Sequence, residues 1–85
     1  MELEIKDIME KILKVPVDEN SNRQNIDVWA SFSHLDILVE IEKKYKIEFE
    51  PEEMAEINSF QDIIKIVNDK IMWFIIFSIY QTYLN

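Results

Sequence analysis

The chain has 85 residues, 48% of them apolar, and a formal net charge of −8, which together are typical of one small globular domain. It contains no cysteine and no glycine, which excludes disulfides, thiolate metal sites, a cysteine nucleophile and a glycine-rich phosphate loop. The acidic balance argues against binding to nucleic acid or anionic membranes and favours basic surfaces on partner proteins.

The N-terminal segment is charged from Glu2 onward, unlike a secretory signal peptide, and with the absence of cysteine this favours a cytoplasmic protein. Apolar residues at helical spacing predict a first helix over about residues 3–14, which Pro16 ends. Residues 17–27 have no periodicity and are rich in Asn, Asp and Ser. They predict a long loop of the kind that is usually functional or mobile.

A second helix is predicted from about residue 31 to 46, with Ser31 as its N-cap. Its spacing predicts a broad inward apolar face formed by Phe32, Leu35, Leu38, Val39, Ile41 and Tyr45. His34 lies close to Ser31 but has no evident acidic or thiol partner. We therefore interpret it as a partly buried or exposed histidine and not as a catalytic base.

Two further helices follow. Pro51 and the acidic residues after it predict a short helix over residues 50–57. Ser59 is the predicted cap of a last helix, whose inward residues are Phe60, Ile63, Ile64, Ile66 and Val67. The predicted fold is an all-α four-helix bundle with three main helices, one short helix and a long first loop.

Between residues 31 and 67 the sequence resembles the acyl carrier protein family without a gap. ASF at residues 30–32 stands where the family has Asp-Ser-Leu at the start of its second helix, and IEKKY at 41–45 is similar to its Leu-Glu-Glu-x-Phe. EExxEI at 52–57 resembles the acidic third helix, and NSFQDI at 58–63 the Thr-Val-x-Asp-Val opening of the fourth. With the first helix and loop, the resemblance covers about residues 1–70.

The resemblance implies that 4′-phosphopantetheine is esterified to the Ser31 hydroxyl and that its thiol carries acyl or aminoacyl groups as thioesters. The implied partners are a phosphopantetheinyl transferase and the enzymes that load and transfer these groups, in fatty acid or secondary metabolite synthesis. The carrier itself is then not an enzyme and needs no metal ion. An acyl chain could be sheltered between the helices if Leu35, Val39, Ile57 and Ile63 leave room.

The resemblance also implies that an acidic face contacts Lys and Arg of partner enzymes. Its members would be Asp36, Glu42, Glu52, Glu53 and Glu56. Lys43 and Lys44 depart from the acidic run of the family, which weakens the negative patch and predicts a narrower or altered set of partners.

Ala30 is the larger departure, because the family's aspartate at this position helps the transferase and its metal to recognise the carrier. Four explanations remain open: slow modification, a specialised transferase, an engineered residue, or a carrier that is losing its function. Asp27 is the nearest upstream carboxylate, but it lies three positions before Ala30 and is not assumed to replace it.

Residues 71–85, which we call the tail, are not expected from the resemblance. These 15 residues carry no charge and are fewer than the roughly 20 that a membrane-spanning helix needs. The tail is predicted to be a helical extension of a domain formed by residues 1–70, and a helix would expose an aromatic patch that includes Trp73, Phe74, Phe77 and Tyr80.

Folding back over the core, self-association, docking on a hydrophobic or membrane-embedded partner, and a non-native extension are all possible roles for the tail. Self-association or partner binding is favoured, because a complete four-helix body leaves little core for the tail to join. Two functions therefore remain: a phosphopantetheine-dependent carrier, and an unmodified interaction module of the same fold that acts through its tail.

Overall fold

The computed structural model describes residues 1–84, and in that range the chain forms four α-helices and no strand. These are α1 (Glu2–Leu13), α2 (Ser31–Tyr45), α3 (Pro51–Glu56) and α4 (Phe60–Leu84). The all-α fold with one short helix and a long first loop is confirmed. The last helix is a single element of 25 residues, so the described part of the tail continues α4 without a break.

The helices surround one apolar core to which every main helix contributes a narrow stripe. On α1 the stripe is Ile5, Met9 and Leu13, whereas Leu3, in the first turn of the helix, is 79% exposed. α4 contributes Phe60, Ile63 and Val67, with Ile64 and Ile66 partly buried against them, as the sequence predicts. Burial of these side chains supplies the main free energy of folding, at about 25 cal/mol per Å² of apolar surface.

The long loop between α1 and α2 is held against the connection between α3 and α4 by backbone hydrogen bonds. The Arg23 N–H donates to the Asn58 carbonyl at 2.8 Å, and the Phe60 N–H donates to the Ser21 carbonyl at 3.0 Å. At the loop's start, the Glu10 carboxylate accepts the Val17 N–H at 2.8 Å. The loop is therefore anchored at its start and middle before it delivers the chain to α2.

Side-chain hydrogen bonds define the N-terminal ends of α3 and α4. Ser59 Oγ accepts the Asp62 N–H at 3.0 Å, which confirms Ser59 as the cap of α4. Asp62 Oδ2 in turn accepts the Asn58 N–H at 2.9 Å. At α3, the Glu53 carboxylate accepts the Glu50 N–H at 2.7 Å, directly before Pro51 in the first helical position.

The buried face of α2 differs from the prediction. Phe32 is 86% exposed, and Leu35 and Val39 are also exposed, although all three were expected to point inward. The residues that α2 buries are His34, Ile37, Leu38 and Ile41. Apolar residues lie on more than one side of this helix, so their spacing alone does not select the inward side. The inward side is the one that packs Ile37, Leu38 and Ile41 into the core and that makes the contacts of His34 described next.

His34 is buried, with only 5% of its surface exposed, so the prediction of a partly buried or exposed histidine is wrong. Its Nδ1 lies 2.9 Å from Trp29 Nε1, and its Nε2 lies 2.8 Å from the Met54 carbonyl oxygen. An indole nitrogen can only donate, so Nδ1 accepts and the single hydrogen of a neutral imidazole is on Nε2. His34 thereby satisfies the buried indole N–H of the loop and a backbone carbonyl of α3 at once.

Burial lowers the pKa of His34 below its ordinary value of 6.5; the hydrogen bond to Met54 opposes this shift and the positive charge of Arg23 adds to it. Below pH 6.5 the unfolded chain gains a proton that the folded chain resists. The free energy of unfolding should therefore fall as the pH decreases from about 7.5 to 5.5, by at most about 1.4 kcal/mol per pH unit.

Urea unfolding across this pH range, followed by circular dichroism, measures the effect. His34 is the only histidine in the chain, so a His34→Gln variant, whose amide can accept and donate at the same site, removes the imidazole titration. The variant should lose most of the pH dependence. An unchanged slope in His34→Gln would assign the dependence to carboxylates instead.

Candidate functional site

Ser31 is the first residue of α2 and its side chain is exposed to solvent. The N-cap is Ala30, not Ser31 as the sequence suggested. The reason is that the His34 N–H donates to the Ala30 carbonyl at 2.8 Å, so the first helical hydrogen bond begins one residue earlier. Within residues 1–84 the Ser31 hydroxyl has no hydrogen-bond partner.

Ser33 ties the start of this helix to the residues before it, while the N–H groups of the first turn have no side-chain cap. Its Oγ accepts the Ala30 N–H at 2.9 Å and donates to the Val28 carbonyl at 2.6 Å. The sequence predicts such a role for no residue other than Ser31. The signal was available, because a hydrogen-bonding side chain three residues after the N-cap commonly reaches back to the N-cap N–H. Ser33 therefore makes the structural contacts at this position, and the Ser31 hydroxyl makes none.

The electrostatic setting of Ser31 favours an attached anion. Ala30 has no side-chain acceptor, and the first turn of α2 contains no acidic residue. The N–H groups of this turn therefore have no side-chain acceptor, and the partial positive charge of the helix dipole is not compensated there. An anionic group esterified to Ser31 would lie close to these donors.

The surroundings of Ser31 do not form a catalytic triad. Both ring nitrogens of His34 are engaged in the buried contacts with Trp29 and Met54, so this imidazole is not available as a base for Ser31. Among residues 1–84 no cluster of three His, Asp or Glu side chains could hold a metal ion. What the site presents is an accessible hydroxyl.

Exposed apolar side chains follow Ser31 along α2. Phe32 lies beside it, and Leu35 and Val39 come one and two turns later. With Ile8 and Ile12 of α1, Leu35 and Val39 line a surface groove of about 590 Å³ whose charged rim is Lys11, Asp36, Glu40 and Lys43. The four residues predicted to surround an acyl chain therefore do not lie together. Ile57 and Ile63 are fully buried in the core, whereas Leu35 and Val39 face this groove.

The five predicted acidic contact residues fall into two groups. Asp36, Glu52 and Glu56 are exposed. By contrast, the Glu42 carboxylate accepts the Phe49 N–H at 2.8 Å. Glu53 pairs with Lys70 of α4 at 2.7 Å, and the hydrogen bond from this lysine lowers the pKa of Glu53. Glu42 and Glu53 thus stabilise the fold locally, whatever they contact on a partner.

The described part of the tail projects from the body of the domain. Trp73, Phe74, Phe77 and Tyr80 are 63%, 68%, 47% and 56% exposed. The rings of Trp73 and Phe77 meet edge to face at 5.5 Å. Beside them, a groove of about 350 Å³ is lined by Lys46, Ile47, Glu48, Lys70, Trp73, Phe74 and Phe77. Among the described helices, none has the length and apolar content to cross a membrane.

Comparison with solved structures relates this arrangement to a known one. The solution NMR structure of a holo acyl carrier protein from Geobacter metallireducens superposes with a TM-score of 0.76 and 22% sequence identity, covering 87% of this chain and 88% of that one. The chain has the acyl carrier protein fold. A scan against protein-family models and a search of curated proteins give no match.

The two serines of α2 give a direct test of the site geometry. Ser33→Ala should lower the free energy of unfolding by about 1–2 kcal/mol, because it removes the acceptor of the Ala30 N–H and the donor to Val28. Ser31→Ala should leave it unchanged within about 0.5 kcal/mol, as expected for an exposed side chain without contacts.

Chemical denaturation of both variants and the unsubstituted protein makes the comparison. Equal losses at the two positions would contradict the conclusion that only Ser33 makes stabilising contacts at the start of α2. A loss confined to Ser31→Ala would instead indicate that Ser31 caps the helix.

Proposed function

We propose that this protein is a carrier whose Ser31 is esterified with 4′-phosphopantetheine and which presents acyl or aminoacyl thioesters to partner enzymes. The observation that carries the proposal is the exposed, unbonded Ser31 hydroxyl at the first turn of α2 in a chain with the acyl carrier protein fold. The comparison structure is itself a holo carrier, which supports the same cofactor here.

The residues around Ser31 suit this group. The Ser31 Oγ supplies the oxygen of the phosphoester, and the uncapped N–H groups of the first turn stabilise the phosphate charge. When bound, the cofactor supplies the thiol that a chain without cysteine lacks. The His34 contact with Trp29 holds the preceding loop in the core, so that Ser31 stays at the surface where a modifying enzyme can reach it.

The surface beside Ser31 offers both apolar and acidic contacts to client enzymes. Phe32 and Leu35 are large exposed side chains within one turn of the modified residue, and Asp36 adds a carboxylate on the same helix. Glu52 and Glu56 add further negative charge on α3. We therefore assign the docking face to these residues, while Glu42 and Glu53 contribute through the loop and helix contacts that they make.

Loading by a broad-specificity phosphopantetheinyl transferase with coenzyme A tests the proposal. The unsubstituted protein should gain the mass of one phosphopantetheine group, measured by intact-protein mass spectrometry, and Ser31→Ala should gain none. Ser33→Ala is the matched control for a nearby hydroxyl and should still be loaded where it remains folded. Loading of Ser31→Ala, or failure of the unsubstituted protein with every transferase tried, would contradict the site.

Ala30 predicts slow loading, since the carboxylate of the family's aspartate is missing beside the modified serine. Ala30→Asp should raise the loading rate severalfold. Because Ala30 is the N-cap, an aspartate there can also accept an exposed N–H and stabilise α2 by about 1 kcal/mol.

Ala30→Asn separates these two effects, because asparagine caps a helix about as well as aspartate but carries no charge. It should stabilise the protein and leave the loading rate nearly unchanged. Equal rates for the unsubstituted protein and Ala30→Asp would show that the missing carboxylate does not limit modification.

A further inference from the structure

The apolar face of α4 changes side where the helix leaves the body. In the body, Ile63, Val67 and Ile71 recur every four residues on the side that meets the core. Continued at helical spacing, the same side reaches Phe74, which is apolar and 68% exposed, and then Ser78 and Thr82, which are polar and exposed. Beyond Phe74, the side of α4 that faces the core is thus not continued as an apolar stripe in the tail.

A different set of residues forms the apolar stripe of the tail. Trp73, Ile76, Tyr80 and Tyr83 follow one another at spacings of three, four and three residues, and they are 63%, 57%, 56% and 87% exposed. At 100° per residue they lie roughly opposite the side of α4 that contacts the core. The body of the same chain therefore does not cover this stripe, and alternating spacings of three and four are those of a helix that packs against another helix.

The exposed area of the stripe approaches that of an interface. Its aromatic side chains, Trp73, Tyr80 and Tyr83, are 63%, 56% and 87% exposed. At about 200 Å² per aromatic side chain these three expose roughly 400 Å² in one copy, or roughly 800 Å² in two. A specific interface needs about 1,000 Å² in total, and the exposed part of Ile76 in each copy adds to the aromatic area.

We infer that the tail pairs with the tail of a second copy of this chain, as two antiparallel helices. Charge selects the direction, because all Asp, Glu, Lys and Arg residues precede residue 71 and the net charge is −8. A parallel pair would bring two acidic bodies side by side. An antiparallel pair places them at opposite ends of a helix segment about 21 Å long, well beyond the Debye length of about 8 Å.

The groove at the start of the tail complements this arrangement. In an antiparallel pair, the C-terminal end of one tail helix approaches the part of the other copy where Trp73 and Phe77 lie. That end carries the partial negative charge of the helix dipole, and Lys46, Glu48 and Lys70 line the groove beside it, with Lys70 already paired with Glu53. Lys46 has no ion-pair partner within residues 1–84, so its charge is available to the second copy.

Light scattering after size exclusion, over a wide concentration range, tests the pairing on the unmodified full chain. The protein should elute with the mass of a dimer. Ile76→Lys, which places a charge in the stripe, should be monomeric with an unchanged helical circular dichroism spectrum. Ser78→Lys, which adds the same charge on the other side of the same exposed helix, should remain dimeric.

The direction of pairing is measured with one spin label, since the chain has no cysteine of its own. A label on Asn68→Cys, an exposed position in the body half of α4, should give an intermolecular distance of roughly 30 Å in the antiparallel pair and roughly 10–15 Å in a parallel one. A short distance would overturn the antiparallel arrangement.

A monomer at all concentrations would overturn the inference, as would equal behaviour of Ile76→Lys and Ser78→Lys. A monomer that binds vesicles of neutral lipid through Trp73, seen as a blue shift of its fluorescence that Ile76→Lys abolishes, would assign the tail to a membrane surface instead. The inference is independent of the carrier function, because Ile76→Lys should be loaded at Ser31 as fast as the unsubstituted protein.

Discussion

The hydrogen bonds of His34 hold together the three parts of the chain on which the rest of the structure depends. Trp29 brings the end of the long loop into the core, where its indole N–H needs an acceptor. His34 of α2 supplies that acceptor and donates its own hydrogen to the Met54 carbonyl of α3. A buried polar group without a partner costs about 1–3 kcal/mol, so this arrangement requires the imidazole to be neutral and α2 to keep one rotation about its axis. With that rotation set, Ser31 and Phe32 face solvent.

Side chains of the same type consequently have different tasks according to where this rotation places them. Ser33 ties the start of α2 to the preceding loop through its contacts with Ala30 and Val28, whereas the hydroxyl of Ser31, two residues earlier, makes no hydrogen bond. Among the acidic residues, Glu42 and Glu53 accept backbone N–H groups, whereas Asp36 is exposed. The proposed carrier chemistry uses groups that do not stabilise the fold, namely the Ser31 hydroxyl and a small number of exposed carboxylates and apolar side chains.

Much of this architecture follows from the sequence, and the parts that do not have identifiable causes. Apolar periodicity and the helix-start signals at Pro51 and Ser59 predict the four helices, because such signals depend on residues within one or two turns. The buried side of α2 does not follow, since apolar residues lie on several of its sides; the side that is buried is the one whose residues meet the core and Trp29. The sequence predicts Ser31 as the N-cap because Ala30 cannot cap with its side chain, whereas in the structure the helical hydrogen bonds begin at the Ala30 carbonyl.

What the sequence determined by itself is the set of helices, the position of Ser31 at the start of α2, and the contrast between a charged body and an uncharged tail. These are properties of spacing and composition along the chain. The tertiary structure alone decided that His34 is buried, that Leu35 and Val39 face a groove while Ile57 and Ile63 face the core, and that the apolar side chains of the tail after Ile71 stay exposed. Each of these depends on which surfaces meet in space, and a helix that is apolar on several sides leaves that choice to its neighbours.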